Sequence, residues 1–256
     1  MTYIDIGKGK TIIFVHSYLW NKEMWQPQLD FFKENFRCIA IDLPYHHKDS
    51  KADNISSLAD LAKEIKNFIE ELKIDEYIYV GLSVGGMIAP YLYNLDKDKI
   101  SKLIIMDSFS GDEPAETKNL YFALLDKIEK DGKISEEVAS KIAPIFFKPE
   151  IDKNSDLYQN FFNRLKNFSS EELKGIVKLG RIIFGRENSL ELLRNIKVPT
   201  YFLTGEFDIP RPFEEAETMK NYVENSEVFK ISNAGHISNL ENPSETNSIL
   251  SKIFNS

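Results

Sequence analysis

Short apolar runs alternate along the chain with stretches in which apolar residues recur every three or four positions. The runs at 11–15, 37–41, 77–80, 102–106, 200–203 and 227–231 are continuous, without strict polar alternation. Such runs suit parallel strands covered on both faces. Residues 2–6 read as a first strand, and the turn Gly7-Lys8-Gly9-Lys10 predicts a hairpin with the strand at 11–15. Helical patterns lie between the runs. Over 55–73, Leu58, Leu61, Ile65, Phe68, Ile69 and Leu72 share one helical face, with Ser56 or Ser57 as the cap. Further helices are predicted at 87–95, 211–223 and 243–254. Strand–helix alternation implies right-handed crossovers and a doubly wound, mostly parallel α/β sheet. From 111 to 195 the rhythm changes. Helical patterns at 116–131, 135–147, 155–168 and 169–184 follow one another with no strand between them. We read 111–195 as a helical cap inserted between strands six and seven, over a core domain made of 1–110 and 196–256.

Composition narrows what such a fold does. The chain has 256 residues, 42% of them hydrophobic, enough for a large core. Its formal net charge is −8, from 32 basic and 40 acidic residues. That balance disfavours nucleic acid, whose phosphates need clustered Lys and Arg, and anionic membrane surfaces. One cysteine, Cys38, excludes an intramolecular disulfide and a cysteine-based zinc cluster. No basic segment followed by a long apolar run opens the chain, and no apolar stretch approaches the roughly 20 residues of a membrane span. The expectation is a cytoplasmic monomer or homodimer acting on a small molecule, with no metal and no cofactor.

The strongest local motif is Gly81-Leu82-Ser83-Val84-Gly85-Gly86, between a strand and a helix. G-x-S-x-G in that setting is a nucleophile elbow: the serine occupies a strained turn, and glycines two residues to either side avoid collisions with the neighbouring strand and helix. The helix behind Ser83 directs its N-terminal amides at developing negative charge. No G-K-[ST] follows, so this is not a phosphate-binding Walker loop.

A serine hydroxyl needs a base. His236, in Ala234-Gly235-His236 after the last strand, stands at the carboxyl edge of the sheet, where open α/β sheets bind ligands. Asp208, after the strand at 200–203, would fix the imidazole tautomer; Asp107 and Glu206 are the competing acids, ranked behind it. The order Ser83, Asp208, His236 is that of a hydrolase triad on an α/β sheet. Backbone N–H groups of Tyr18 and Val84 would form the oxyanion hole. His16 reads as structural. His46 and His47 read as loop residues, with no carboxylates at ligand spacing.

With these motifs in place, the chain resembles the α/β-hydrolase family. The stretches His16-Ser17, Met24-Trp25-Gln26-Pro27-Gln28, the serine motif through Met87-Ile88, and Gly235-His236 through Asn242-Pro243 resemble the group of 3-oxoadipate enol-lactonases, bacterial aryl esterases and cofactor-free haloperoxidases. Two features depart from that group. Its Gly-His-Gly loop is here Tyr45-His46-His47, and its usual first strand is missing. The resemblance implies a serine hydrolase that cleaves a carboxylic ester or lactone through an acyl-enzyme. Carbon–carbon bond hydrolysis, perhydrolysis and thioester hydrolysis use the same triad, and a non-catalytic binding protein can share the fold. The rings of Phe109, Tyr121, Phe122, Phe146, Phe147, Phe161, Phe162, Phe168 and Phe184 are candidates to line an apolar pocket. Arg164, Arg181 and Arg186 would instead clamp a substrate carboxylate if they faced inward.

Overall fold

In the computed structural model, which describes residues 1–46 and 54–256, seven strands form one sheet. They are β1 (Tyr3–Ile6), β2 (Thr11–Val15), β3 (Arg37–Ile41), β4 (Tyr77–Leu82), β5 (Ile100–Met106), β6 (Thr200–Gly205) and β7 (Ser226–Ile231). Their spatial order is β1-β3-β2-β4-β5-β6-β7. β1 runs antiparallel to β3, and every other pairing is parallel. Helices cover both faces, which is why the central strands read as unbroken apolar runs: Ile12, Ile13, Phe14 and Val15 are all fully buried.

The helices in chain order are α1 (Gln26–Phe32), α2 (Leu58–Glu71), α3 (Val84–Asp96), α4 (Ala115–Asp131), α5 (Glu136–Ile142), α6 (Asp156–Lys166), α7 (Ser170–Phe184), α8 (Phe213–Lys220), α9 (Ser238–Glu241) and α10 (Pro243–Asn255). α2 starts where the sequence places a cap: Ser57 Oγ accepts the Asp60 N–H at 3.1 Å. α1 packs on α10, α2 on α3, and α8 on β6 and β7. α1 is absent from the sequence-based reading. Its signal is short, with Pro27 in the first turn and only Leu29 and Phe32 as apolar spacing.

Two expectations are corrected. The turn at Gly7–Lys10 does not make a β1–β2 hairpin, because β1 crosses to pair with β3, Tyr3 opposite Ile41 and Ile6 opposite Cys38. β2 is buried throughout and takes β3 and β4 as its two neighbours, leaving β1, with its alternating half-exposed pattern, to the edge. Thr2 and Arg37 fasten that edge, to Asp42 and Asp5 respectively. Between β5 and β6 the described residues form α4, α5, α6 and α7 with no strand among them. Counted from Tyr3, this insertion falls between the fifth and sixth of the seven strands among the described residues, rather than between six and seven.

The inserted helices lie over the loop that follows β2. Trp20 stacks on Phe161 of α6, with ring centres 4.3 Å apart and planes 4° from parallel. Arg164 Nε donates to the Leu19 carbonyl at 2.9 Å, and the Tyr18 hydroxyl donates to the Ile176 carbonyl at 2.8 Å. No helix among the described residues is long and apolar enough to cross a membrane.

The core predicts a contrast in stability. Phe14, fully buried against Trp25, should cost about 3–5 kcal/mol on replacement by Ala, while Leu120→Ala, at a position 67% exposed, should stay within about 0.5 kcal/mol. Urea unfolding measures both; similar losses would mean that β2 is not the centre of the core.

Candidate active site

Ser83 stands between β4 and α3 with φ +56°, ψ −114°, a left-handed backbone conformation that few non-glycine residues adopt. Its surroundings hold it there. The Ser83 N–H donates to the Met106 carbonyl at 2.9 Å, and the Ser108 hydroxyl donates to the Ser83 carbonyl at 2.7 Å. The flanking glycines are sterically required. A Cβ on Gly81 would lie 2.4 Å from the Gly85 carbonyl group, and one on Gly85 would lie 2.5 Å from the Val15 carbonyl oxygen. α3 therefore starts against the ends of β2 and β4, and its first-turn N–H groups, Val84 among them, have no carbonyl partner within the helix.

Three side chains from separate loops meet here. The Ser83 hydroxyl donates to His236 Nε2 at 2.9 Å. His236 Nδ1–H faces both Asp208 oxygens, at 3.1 and 3.0 Å. All three residues are buried. Asp208 sits in a turn closed by its own oxygen, since Oδ1 also accepts the Arg211 N–H at 3.0 Å. Gly235 lets the histidine loop pass the cap: a Cβ there would come 2.5 Å from the backbone of Phe147 and Lys148. Glu241 anchors the same loop by accepting the N–H groups of Gly235 at 2.7 Å and Lys148 at 3.1 Å.

The competing acids have other partners. Glu206 accepts the Asn233 N–H at 2.9 Å. Asp107 is fully buried, with Oδ1 accepting the Gly205 N–H at 2.8 Å and Oδ2 the Ser238 hydroxyl at 2.6 Å. Burial, and then the neighbouring Asp208 charge, hold the Asp107 carboxyl well above the usual carboxylate range. His16 is a structural histidine: Nδ1–H donates to the Ser17 carbonyl at 2.8 Å, and Nε2 accepts the Leu43 N–H at 2.9 Å. His46 packs edge-on against it, with ring centres 4.4 Å apart. His47 lies outside the described residues.

A cavity opens beside Ser83 and His236 and extends under the cap helices. Tyr18 and Leu19 form one wall; Tyr121, Phe146 and Phe184 are the lining members of the predicted ring set. Phe147 and Phe161 instead pack with Trp20. The rest of the wall is mainly aliphatic, including Met87, Leu124, Ile128, Ile142 and Ile183. None of the three arginines considered from sequence lines it. Arg164 contacts the Leu19 carbonyl, Arg181 pairs with Asp126 and Glu129 at the surface, and Arg186 pairs with buried Glu113. The lining cation is Arg211, which sequence reasoning missed although it lies only three residues beyond Asp208. Its guanidinium is bound to Glu113 at 2.5 Å and Glu215 at 3.4 Å. Among the described residues, no group of three His, Cys, Asp or Glu side chains could hold a metal ion.

Comparison with known proteins bears on the fold. A family model described as alpha/beta hydrolase fold matches residues 10–243. The AB hydrolase superfamily protein YisY of Bacillus subtilis is 29% identical, over 98% of this chain and 94% of its own length. The 3-oxoadipate enol-lactonase 1 of Acinetobacter baylyi is 23% identical, over 91% of this chain and 84% of its own. Among solved structures, an esterase from Exiguobacterium antarcticum superposes with a TM-score of 0.86 at 25% identity, covering 99% of this chain and 95% of the other.

The buried His16 makes stability depend on pH. Burial, opposed by the charge of Asp42, pushes its pKa down to about 4, whereas the unfolded chain protonates near 6.5. The unfolded state therefore takes up this proton first, so stability present above pH 6.5 is lost as pH falls towards 4, by about 2 kcal/mol at pH 5. Urea unfolding at pH 7 and pH 5 should show that loss in the wild type and a smaller one in His16→Asn; equal losses would assign the effect to other groups.

Proposed function

The chain belongs to the alpha/beta hydrolase fold family, and we propose that within it the protein is a serine hydrolase cleaving a carboxylic ester or lactone. The observation that carries this reading is the chain of contacts Ser83 Oγ–His236 Nε2 and His236 Nδ1–Asp208, at 2.9 and 3.0–3.1 Å. Ser83 Oγ attacks the substrate carbonyl carbon while His236 Nε2 takes the hydroxyl proton. Asp208 keeps Nδ1 protonated and stabilises the imidazolium that forms. The tetrahedral oxyanion is held by the N–H groups of Tyr18 and Val84, a pair of donors commonly worth several kcal/mol in the transition state. Collapse breaks the bond to the leaving oxygen, which receives the proton from His236. Water, deprotonated by the same imidazole, then attacks the acyl-enzyme and releases the acid and free Ser83.

In this reading residues 111–195 act as a cap over the core of 1–110 and 196–256, and the substrate lies between them. The cavity supports an uncharged, apolar substrate. Its wall is mainly aliphatic and aromatic, and its lining arginine, Arg211, already has two carboxylate partners.

Two outcomes follow. Ser83→Ala should lower kcat for a p-nitrophenyl ester by about 10⁴-fold or more, because the remaining site lacks a nucleophile. Turnover that survives the substitution would remove Ser83 from the mechanism. Phenyl butyrate should have a higher kcat/KM than a carboxylate-bearing lactone of similar size; a tenfold preference for the lactone would contradict the apolar-pocket reading.

A further inference from the structure

The depth of the cavity beside Ser83 is set by one helical hairpin of the insertion. α4 and α5 are joined by the short segment at 132–135. Both open ends of this hairpin are fastened near the triad. Just before α4, Glu113 accepts from Arg211, whose own backbone N–H is bound to Asp208. Just after α5, Phe146 packs on His236 with ring centres 5.6 Å apart. The closed end of the hairpin therefore lies away from the triad, and the cavity reaches it. Ile128, in the last turn of α4, and Ile134, in the joining segment, both line the cavity, and both are buried. Beyond Tyr121 and Phe146, the hairpin residues that line it are Leu124, Leu125, Ile128, Ile134, Ile142 and Ile145, all aliphatic. α7 closes the side. A Cβ on its Gly180 would stand 2.6 Å from the Tyr18 hydroxyl and 2.8 Å from Leu125, so this helix is pressed onto α4. Tyr121, Leu124, Leu125 and Ile128 share one face of α4, and the seven positions from Tyr121 to Ile128 rise about 10 Å.

We propose that this hairpin forms an acyl pocket for a straight, medium-length fatty acyl ester, and that Ile128 and Ile134 set the length of chain it accepts. The proposal rests on the reading of Ser83 as the nucleophile, which fixes where the ester carbonyl sits. An extended chain advances about 1.2 Å per bond, so roughly eight carbons span the rise from Tyr121 to the tip of the hairpin. A shorter acyl chain leaves the tip empty and forgoes the burial of its missing methylenes. A longer one meets Ile128 and Ile134. A hydroxyl or carboxylate on the chain would lose its water without a partner, because the hairpin side chains at these positions are all aliphatic. A pocket closed at its far end suits the acyl part of the substrate rather than the alcohol. The alcohol must leave before water enters, whereas the acyl group stays bound to Ser83 through both steps.

The test is kcat/KM for p-nitrophenyl esters from acetate to palmitate, below their micelle concentrations, in the wild type, Ile134→Phe and Ile128→Ala. A parallel series of alkyl acetates lengthens the alcohol instead. In the wild type kcat/KM should rise with each added acyl methylene and pass through a maximum at about six to ten carbons. Ile134→Phe fills the tip and should lower the octanoate-to-acetate ratio by about tenfold or more. Ile128→Ala deepens the pocket and should move the maximum to a longer chain. A wild-type maximum at acetate, or a flat acyl profile, overturns the proposal. So does a preference that follows the alkyl acetates rather than the acyl series. A maximum that neither variant moves removes Ile128 and Ile134 from chain-length selection and overturns it as well. Should Ile134→Phe fail to fold, the wild-type profile and Ile128→Ala decide. Failure of the underlying reading looks different: hydrolysis of these esters would then survive Ser83→Ala, whatever their chain length.

Discussion

The arrangement depends on one close approach of backbone to backbone. The start of α3 presses against the end of β2 so tightly that Gly85 has no room for a Cβ beside the Val15 carbonyl, and Gly81 has none beside Gly85. This contact turns the chain sharply enough to hold Ser83 at positive φ and lift its side chain above the sheet edge. The cost of a sparsely populated backbone conformation, of order 1–3 kcal/mol, persists only where the surroundings over-determine it. Here they do so through buried β2 and β4, and through hydrogen bonds on both the N–H and the carbonyl of Ser83.

A second layer of buried polar groups converts that placed hydroxyl into an ordered site. Asp208, Asp107 and Glu241 each accept backbone N–H groups from the loops after β6 and β7 or from the cap. Glu113, next to the first cap helix, joins Arg186 and Arg211. Charges this deeply buried are tolerable only when paired, and removal of one partner typically costs about 3–5 kcal/mol. The same residues therefore tie the cap to the loop that presents Asp208. The buried Asn239–Gln28–Met24 contacts bind the histidine loop to the segment after β2, which explains part of the otherwise scattered motif at 24–28.

Most of the sheet was legible because its strands are buried on both faces and so announce themselves as continuous apolar runs. The loops that bring Ser83, Asp208 and His236 together were legible for a different reason: glycine, proline and short polar residues mark the turns locally. What the sequence hid was long-range pairing. Nothing in Gly7–Lys10 distinguishes a tight hairpin from a loop that carries β1 across to β3, since that choice is made by which strand needs two neighbours. The direction of each arginine was hidden as well. Arg211 resembles an ordinary turn residue until Glu113, 98 positions away, is seen against it. Likewise, the hydrogen bond from the Gly205 N–H to Asp107 follows from the adjacency of β5 and β6, not from any local pattern.

The central claim is that Ser83 forms the covalent bond and His236 makes it reactive. The most direct measurement is peptide mass spectrometry after treatment with a fluorophosphonate. The account predicts a single adduct on the peptide that contains Ser83, formed much more slowly when His236 is replaced by Ala. An adduct on another serine, or labelling of Ser83 at an unchanged rate in His236→Ala, would contradict it.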